Sequence, residues 1–394
     1  MLKRNIAILL VAQMIAITAT ISLVTLGGIV GRVLAPTPAL STLPLSLFVV
    51  GTAMATVPAA WSMSKIGRAR GFACGAGLGL VGALISIVAM TTASFSTFCL
   101  GGLFVGFAAA FSQQYRFAAA ESVREAYAAQ AVSVILLGSI AGAMLGPELA
   151  VRGESWIGGA PFAGTFLGIA VCYVIASALL LMLREGGPQT HAPKTGEIRP
   201  LGEMVGRWIF VVPVLGAAVG QGVMVFVMTA APLAMHVSDG HPLATAAAVV
   251  QAHVLAMYLP SLFTGALIGR FGPGRVMLTG TAIFCVMVVI GFLGREVLHY
   301  GASMVALGIG WNFLFIGGTT LLAGAHRPAE RFRAQAVNDF SVFGLSAIGS
   351  LSAGVVIQLF GWHAVLWASI PPVLATMFVL VWTRRWYATP RPGT

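Results

Sequence analysis

The chain has 394 residues, of which 58% are hydrophobic and only 8% charged, with a mean hydropathy of +0.94 and a net charge of +11. Soluble domains carry roughly 25% charged residues, so water is excluded as the main solvent. So large a positive charge raises nucleic acid as a partner, and where the basic residues fall decides against it.

Apolar runs of about 20 residues, the length that crosses a hydrocarbon core of about 30 Å as a helix, follow one another along the whole chain. Twelve are read, at 5–29, 42–63, 71–93, 97–119, 129–150, 163–183, 208–231, 243–268, 276–294, 302–324, 340–360 and 363–383. A closed barrel would alternate over strands of about ten residues instead, so the expected fold class is an all-α membrane protein. With a cytoplasmic N-terminus, all of the 22 Lys and Arg except Arg32, Arg116, Arg152 and Arg295 fall on the cytoplasmic side. That positive-inside bias predicts a multi-pass protein of the cytoplasmic (inner) membrane with both termini in the cytoplasm. No basic face with interleaved aromatics is left over, so no nucleic acid is expected. Lys3 and Arg4 precede an apolar run too long for a cleaved signal peptide, which is read as the first span. Cys74, Cys99, Cys172 and Cys285 lie inside spans without metal-like spacing, and read as free, packed thiols.

In chain order, the first span holds Gln13, whose buried amide must either tie helices together or face a cavity. The second ends in Ser64-Lys65-Ile66-Gly67-Arg68-Ala69-Arg70, and the same plan returns at Gly269-Arg270-Phe271-Gly272-Pro273-Gly274-Arg275. A single offset also carries Glu125 onto Glu330 and Ala129-Gln130-Ala131-Val132 onto Ala334-Gln335-Ala336-Val337. Two related halves are the reading, and within membranes repeats mark transporters. These loops resemble the one between helices 2 and 3 of the major facilitator superfamily, with slots at Ala60, Ser64, Lys65, Gly67, Arg68 and Arg70. Where that family has an acid that latches the cytoplasmic gate, this chain has Ser64 and, in the second copy, Gly269.

The third span matches a dinucleotide fingerprint at Gly77, Gly79 and Gly82, but no strand precedes it, and Gly75 and Gly79 read instead as a small-xxx-small pair that lets backbones approach. The fourth ends Ser112-Gln113-Gln114-Tyr115-Arg116, followed by Glu121. Arg116 either snorkels or pairs with Glu121, or it faces the cavity as a cation for an anionic substrate or a gate carboxylate. In the fifth, Gly138, Gly142, Gly146 and Pro147 resemble the helix-5 antiporter motif of the superfamily's proton-coupled exporters, a smooth face able to seal one half against the other. Glu148 after it either couples protons or faces water. Residues 184–207 form a polar cytoplasmic linker.

The second half brings Gln221 to the middle of helix 7 and Gln251, His253 and Tyr258 to helix 8, where His253 is either hydrogen-bonded structure or a proton- or substrate-facing group. Trp311 and Asn312 lie at the centre of helix 10, away from the interfacial belt, which suits a wall for a planar substrate. Asp339 at the start of helix 11 is placed to pair with Lys65, Arg68 or Arg70 and replace the missing gate acid, or simply to cap.

The resemblance implies two six-helix bundles, 1–183 and 208–383, with a tail at 384–394, flanking a cavity lined chiefly by helices 1, 4, 7 and 10. It points to Gln13, Gln113, Gln114, Tyr115, Arg116, Gln221, Trp311 and Asn312 as cavity residues. Glu148, His253 and Asp339 are the proton-coupling candidates, and Ser64, Lys65, Gly67, Arg68, Arg70, Arg270, Gly272 and Arg275 the gate loops. The expected function is alternating-access transport of a small organic molecule by a monomer in the lipid bilayer, as proton-coupled export. The alternatives are uptake of a vitamin- or metabolite-like molecule and a non-transporting receptor. No enzyme activity, metal or cofactor is expected, since no nucleophile–base pair or ligand cluster stands out and no Walker motif exists.

Overall fold

The computed structural model describes residues 2–123, 128–184, 199–327 and 330–384. In a bilayer every backbone polar group must be satisfied within its own segment, and the apolar runs accordingly form helices. They are α1 (Leu2–Leu34), α2 (Leu43–Ile66), α3 (Arg68–Thr91), α4 (Phe95–Ser112), α5 (Tyr115–Glu121), α6 (Ala128–Gly153) and α7 (Ala163–Leu181) in the first half. The rest are α8 (Leu201–Val205), α9 (Trp208–Leu233), α10 (Leu243–Tyr258), α11 (Ser261–Phe271), α12 (Pro273–Leu293), α13 (Val297–Ala323) and α14 (Arg331–Trp382).

Among the described residues ten segments are long and apolar enough to cross a membrane, and one of them, Val337–Trp382, holds two helices. These meet without a loop at Gly361, where φ is 76°. The 26-residue α6 is of spanning length as well. Two expected spans are broken rather than continuous. Helix 4 divides into α4 and α5 at Gln113-Gln114, and helix 8 into α10 and α11 at Leu259-Pro260.

The paired loop glycines have one physical cause. Gly67 turns the chain from α2 into α3 at φ 85°, and Gly272 turns it from α11 into α12 at φ 82°. A side chain at Gly272 would meet nothing within 4 Å, so conformation alone calls for glycine there. Pro273 follows at the first helical position, where its missing N–H is not needed.

Within the first half α1 packs on α6, α3 on α4 and α7, and α2 on α4. In the second, α9 packs on α13 and α14, α12 on α13, and α10 on α13. The halves meet chiefly where α6 touches α10 and where α2 touches α14. Cross-half hydrogen bonds sit in both seams, Ser46 Oγ to Ser350 Oγ at 3.0 Å and Gln251 Nε2 to the Met144 carbonyl at 2.9 Å.

The glycine face of α6 does not make that seam. A Cβ on Gly138 would fall 2.5 Å from the Leu10 carbonyl, and one on Gly142 2.7 Å from the Met14 carbonyl. At Gly146 it would fall 2.7 Å from Ile21 Cβ, and the Gly146 carbonyl accepts from Ser22 Oγ. The motif, with Pro147 buried inside the helix, therefore joins helices 5 and 1 of one half, while Ala143 packs into the core of the other half and the Met144 carbonyl accepts from Gln251. The four cysteines are free, but Cys74 is exposed rather than packed.

One charged device lies outside the spans. Glu330, which caps the start of α14, is buried and receives Arg199 in a two-pronged ion pair, Nε and Nη2 both at 2.6 Å. The backbone N–H groups of Arg199 and Arg327 donate to the same carboxylate at 3.2 and 2.8 Å. Hydrogen bonding from Arg199 holds the Glu330 carboxyl well below the usual carboxylate range. A depressed folded-state value stabilises the fold above the ordinary carboxylate range and is lost only as pH falls through the depressed one. Glu330→Gln is therefore expected to lower the melting temperature of purified protein by several degrees at neutral pH and to flatten its dependence on acid. Arg199→Lys should recover little, since an ammonium cannot reproduce the planar fork. Equal melting curves for wild type and Glu330→Gln would remove the clip as a stabilising element. Glu125, its counterpart in the first half, lies outside the described residues.

Candidate functional site

A cavity of about 180 Å³ opens between the halves, lined by α1, α2 and α4 on one side and α9, α10 and α14 on the other. One water needs only roughly 10–15 Å³ on that measure, so the space suits an organic molecule rather than an ion. Its walls are largely apolar and soft. Phe48, Met224, Met228, Met257 and Phe343 supply them, and thioether side chains adapt to a flat ligand and contact its ring well.

Polar groups reach this space from few positions. Gln113 stands there because helix 4 breaks beside it, leaving its side chain exposed at the end of α4. Gln221 stands there from α9, and its Oε1 accepts from Trp311 Nε1 at 2.6 Å. His253 and Tyr258 come from α10. His253 is fully buried, and its Nδ1 meets the Met304 carbonyl at 2.7 Å. The Thr52 hydroxyl lines the space while hydrogen-bonded to the carbonyls of Phe48 and Gly106, so an oxygen lone pair is what it offers a ligand.

Several residues expected in the cavity are placed elsewhere. Gln13 Nε2 donates to Ser139 Oγ at 2.9 Å and ties α1 to α6. Tyr115 is buried edge-on against Phe72, with ring centroids 4.8 Å apart. Gln114 stands at the N-cap position of α5, without a capping hydrogen bond from its side chain, and does not line the cavity. Trp311 stands behind the wall, stacked on Phe315 at 4.9 Å and edge-on to Tyr258, and acts on the cavity by orienting Gln221. Asn312 is fully buried and spends its amide on the break in helix 8, donating to the Met257 carbonyl and Ser261 Oγ and accepting from Thr264 Oγ1, each at 2.7 Å. Helix 10 thus supports the cavity without lining it, while helices 2, 8 and 11 line it in its place.

Charge gathers beside the cavity rather than in it. Arg116, half-buried on α5, has Asp339 of α14 and Tyr258 of α10 within electrostatic reach. Asp339, hydrogen-bonded by Asn338 Nδ2 at 3.1 Å, feels Arg116 across the halves. Lys65 and Arg70 are exposed at the loop, as is Arg270 in the second copy, where Arg275 is exposed too. The side chains of Ser64 and Glu121 lie outside the described set. Glu148 is far from any cavity role in this arrangement, exposed and paired with Arg152 at 2.9 Å one helical turn on.

Sequence reasoning missed Thr52, Ser112 and the methionines Met224, Met228 and Met257. Small hydroxyls and thioethers inside apolar runs carry no distinguishing signal, because most of them bond their own helix or pack.

The family model described as Major Facilitator Superfamily matches residues 228–393. Over 384 residues the chain is 40% identical to the Riboflavin transporter RfnT of Brucella anthropi, covering 96% of this chain and 95% of that one. It is 28% identical over 406 residues to the Uncharacterized MFS-type transporter YdeG of Bacillus subtilis, covering 97% of this chain and 92% of the relative.

Proposed function

Since this chain belongs to the major facilitator superfamily, we propose that it is a transporter that carries riboflavin, or a flat heterocycle of that kind, into the cell by alternating access. The observation that carries the substrate is the 40% identity, over nearly the full length of both chains, to a protein named for riboflavin transport. The cavity agrees chemically. Its methionine and phenylalanine walls suit a fused aromatic ring, and Gln113, Gln221 and His253 suit an imide edge and a polyol tail. Sparse amides are a poor match for a charged substrate, which would call for a buried counter-ion.

Both halves supply the lining, so rocking of one against the other would expose the same groups to each side in turn. One chain completes the cavity, and we take the working unit to be a monomer in the cytoplasmic membrane with both termini inside. The molecule is moved, not chemically changed. Export coupled to protons is the second reading, and it rests on the likeness of Gly138, Gly142, Gly146 and Pro147 to the antiporter motif. Against it, that face packs on α1 and Glu148 is exposed to solvent or headgroups.

Cells without their own flavin uptake, expressing this chain, are expected to accumulate added riboflavin several-fold above controls. Loss of internal flavin with a matching gain outside would establish export instead. Riboflavin distribution equal to that of control cells would remove riboflavin as substrate. A protonophore added at the plateau reports the coupling: collapse of accumulation marks proton-driven uptake, and persistence marks facilitated entry.

A further inference from the structure

His253 is the one side chain at the cavity with a fully buried polar atom left unsatisfied by the described protein. Its Nδ1 lies 2.7 Å from the Met304 carbonyl. A carbonyl oxygen only accepts, so Nδ1 carries the proton and donates. In the neutral ring Nε2 is then a bare acceptor. That atom is buried, receives no hydrogen bond, and belongs to a residue lining the cavity.

Gln221 has the opposite polarity. An indole N–H only donates, so the bond from Trp311 Nε1 fixes the amide oxygen on the Trp311 side. The Gln221 NH2 group is then the donor end of a side chain whose residue lines the cavity. The two anchors, Met304 and Trp311, lie on the same face of α13 two turns apart, a separation of about 10 Å along its axis. The same lining includes the apolar side chains of Val254, Met257 and Met224. The lining thus includes one residue with a bare acceptor and one with a donor, held by anchors two turns apart on α13.

We propose that the cavity selects its ligand by hydrogen-bond polarity, His253 Nε2 accepting from a ligand N–H or O–H and Gln221 donating to a ligand carbonyl or ring nitrogen two helical turns away. The ligand class is an elongated, neutral, flat heterocycle with a donor at one end and an acceptor at the other. The assignment rests on the cavity being the transport site. It goes beyond the substrate reading by fixing which ligand atoms are recognised and by giving His253 a recognition role in place of a proton-carrying one. A flavin has the required donor in two places, the imide N–H of the ring and the hydroxyls of the ribityl chain.

Two substitutions separate recognition from packing. The amide of His253→Asn can still donate to the Met304 carbonyl but puts nothing at Nε2, whereas His253→Gln carries an amide oxygen to the Nε2 position. Binding of riboflavin, N3-methylriboflavin and lumiflavin to purified protein is measured by flavin fluorescence, with melting temperature as the control for folding. H253N is expected to bind riboflavin about tenfold more weakly, the loss of roughly one neutral hydrogen bond, and H253Q to recover most of the affinity. If the imide N–H is the donor, wild type loses affinity for the N3-methyl compound; if a ribityl hydroxyl is, it loses affinity for lumiflavin. In either case H253N no longer discriminates against that analogue. An H253N protein of normal melting temperature that binds riboflavin as wild type does would overturn the assignment. Should H253N not fold, nitrogen NMR of histidine-labelled wild type replaces it: the Nε2 signal must move on ligand addition, and a static signal rejects the proposal. If riboflavin fails to bind, the same readouts are run with other N–H-bearing heterocycles such as uracils and pteridines. A hit that depends on His253 keeps this assignment and discards riboflavin, while binding by none of them discards both.

Discussion

Arg116→Ala is expected to abolish transport while leaving the yield of folded protein unchanged. Arg116 sits on the short α5 beyond the break in helix 4, and the carboxylate that acts on it, Asp339, belongs to the other half. Removing Arg116 takes away the favourable field that the half-buried Asp339 carboxylate feels across the halves. For a carrier that alternates as proposed, each 1.4 kcal/mol of bias changes the ratio of the two arrangements about tenfold. Riboflavin uptake is therefore expected to fall about tenfold or more. Asp339→Asn in the same background should restore part of it, because the orphaned carboxylate is then gone, and the double-mutant cycle measures the coupling. Failure of Asp339→Asn to rescue would move Arg116 from gate to substrate contact. Loss of folded protein in the single variant would instead support a structural pair within its own half.

Gly106→Val is expected to prevent folding. On α4, Gly102 and Gly106 are one turn apart and press on the backbone of α2 at Pro44 and Phe48. A Cβ on Gly106 would overlap the Phe48 carbonyl oxygen and lie 2.9 Å from its carbon, and no side-chain rotation relieves a clash with main chain. Thr52 Oγ1 also bonds the Gly106 carbonyl at 3.1 Å, so separating the helices breaks a buried polar contact as well. Overpacking of this kind costs about 1–3 kcal/mol or more, and here it would also drive Phe48 and Thr52 into the cavity they line. Folded yield should collapse and riboflavin uptake with it. Gly77→Ala is the control: a Cβ there meets nothing within 4 Å, and the variant should be as stable as wild type. Similar yields for Gly106→Val and Gly77→Ala would mean that α2 and α4 tolerate separation.

The fold was legible because solvent fixes it. Lipid leaves an apolar run of about 20 residues no other choice than a helix, and the two loop glycines at positive φ repeat because both halves make the same turn. Breaks inside helices were less legible. Pro260 marks one of them in the sequence, but Gln113-Gln114 carries neither proline nor glycine, and an average over hydropathy passes across it. At the site, Gln113, Gln221 and His253 could be singled out because an amide or imidazole in an apolar run must find a partner. Which partner it finds is a matter of packing. Gln13 found Ser139, Asn312 found the break in helix 8, and Trp311 turned its N–H to Gln221 instead of presenting its ring to the cavity. The glycine face of α6 was recognisable as a packing surface, yet nothing in its spacing said that helix 1 of the same half would cover it.

The junction at Gly361 bears on how the orientation of this protein in the membrane can be mapped. The last two helices share a single non-helical residue, and Trp362 directly after it is buried against Tyr300, with ring centroids 5.0 Å apart. An epitope or protease site inserted there would have to pull a buried indole out of its seat, so a negative result at that turn would report damage rather than sidedness. Gly158 and Gly159, in the turn between α6 and α7, have nothing within 4 Å of where a side chain would begin. A tag placed between them leaves every packed contact described above in place, and antibody access to it on intact cells reads directly which way round the molecule lies.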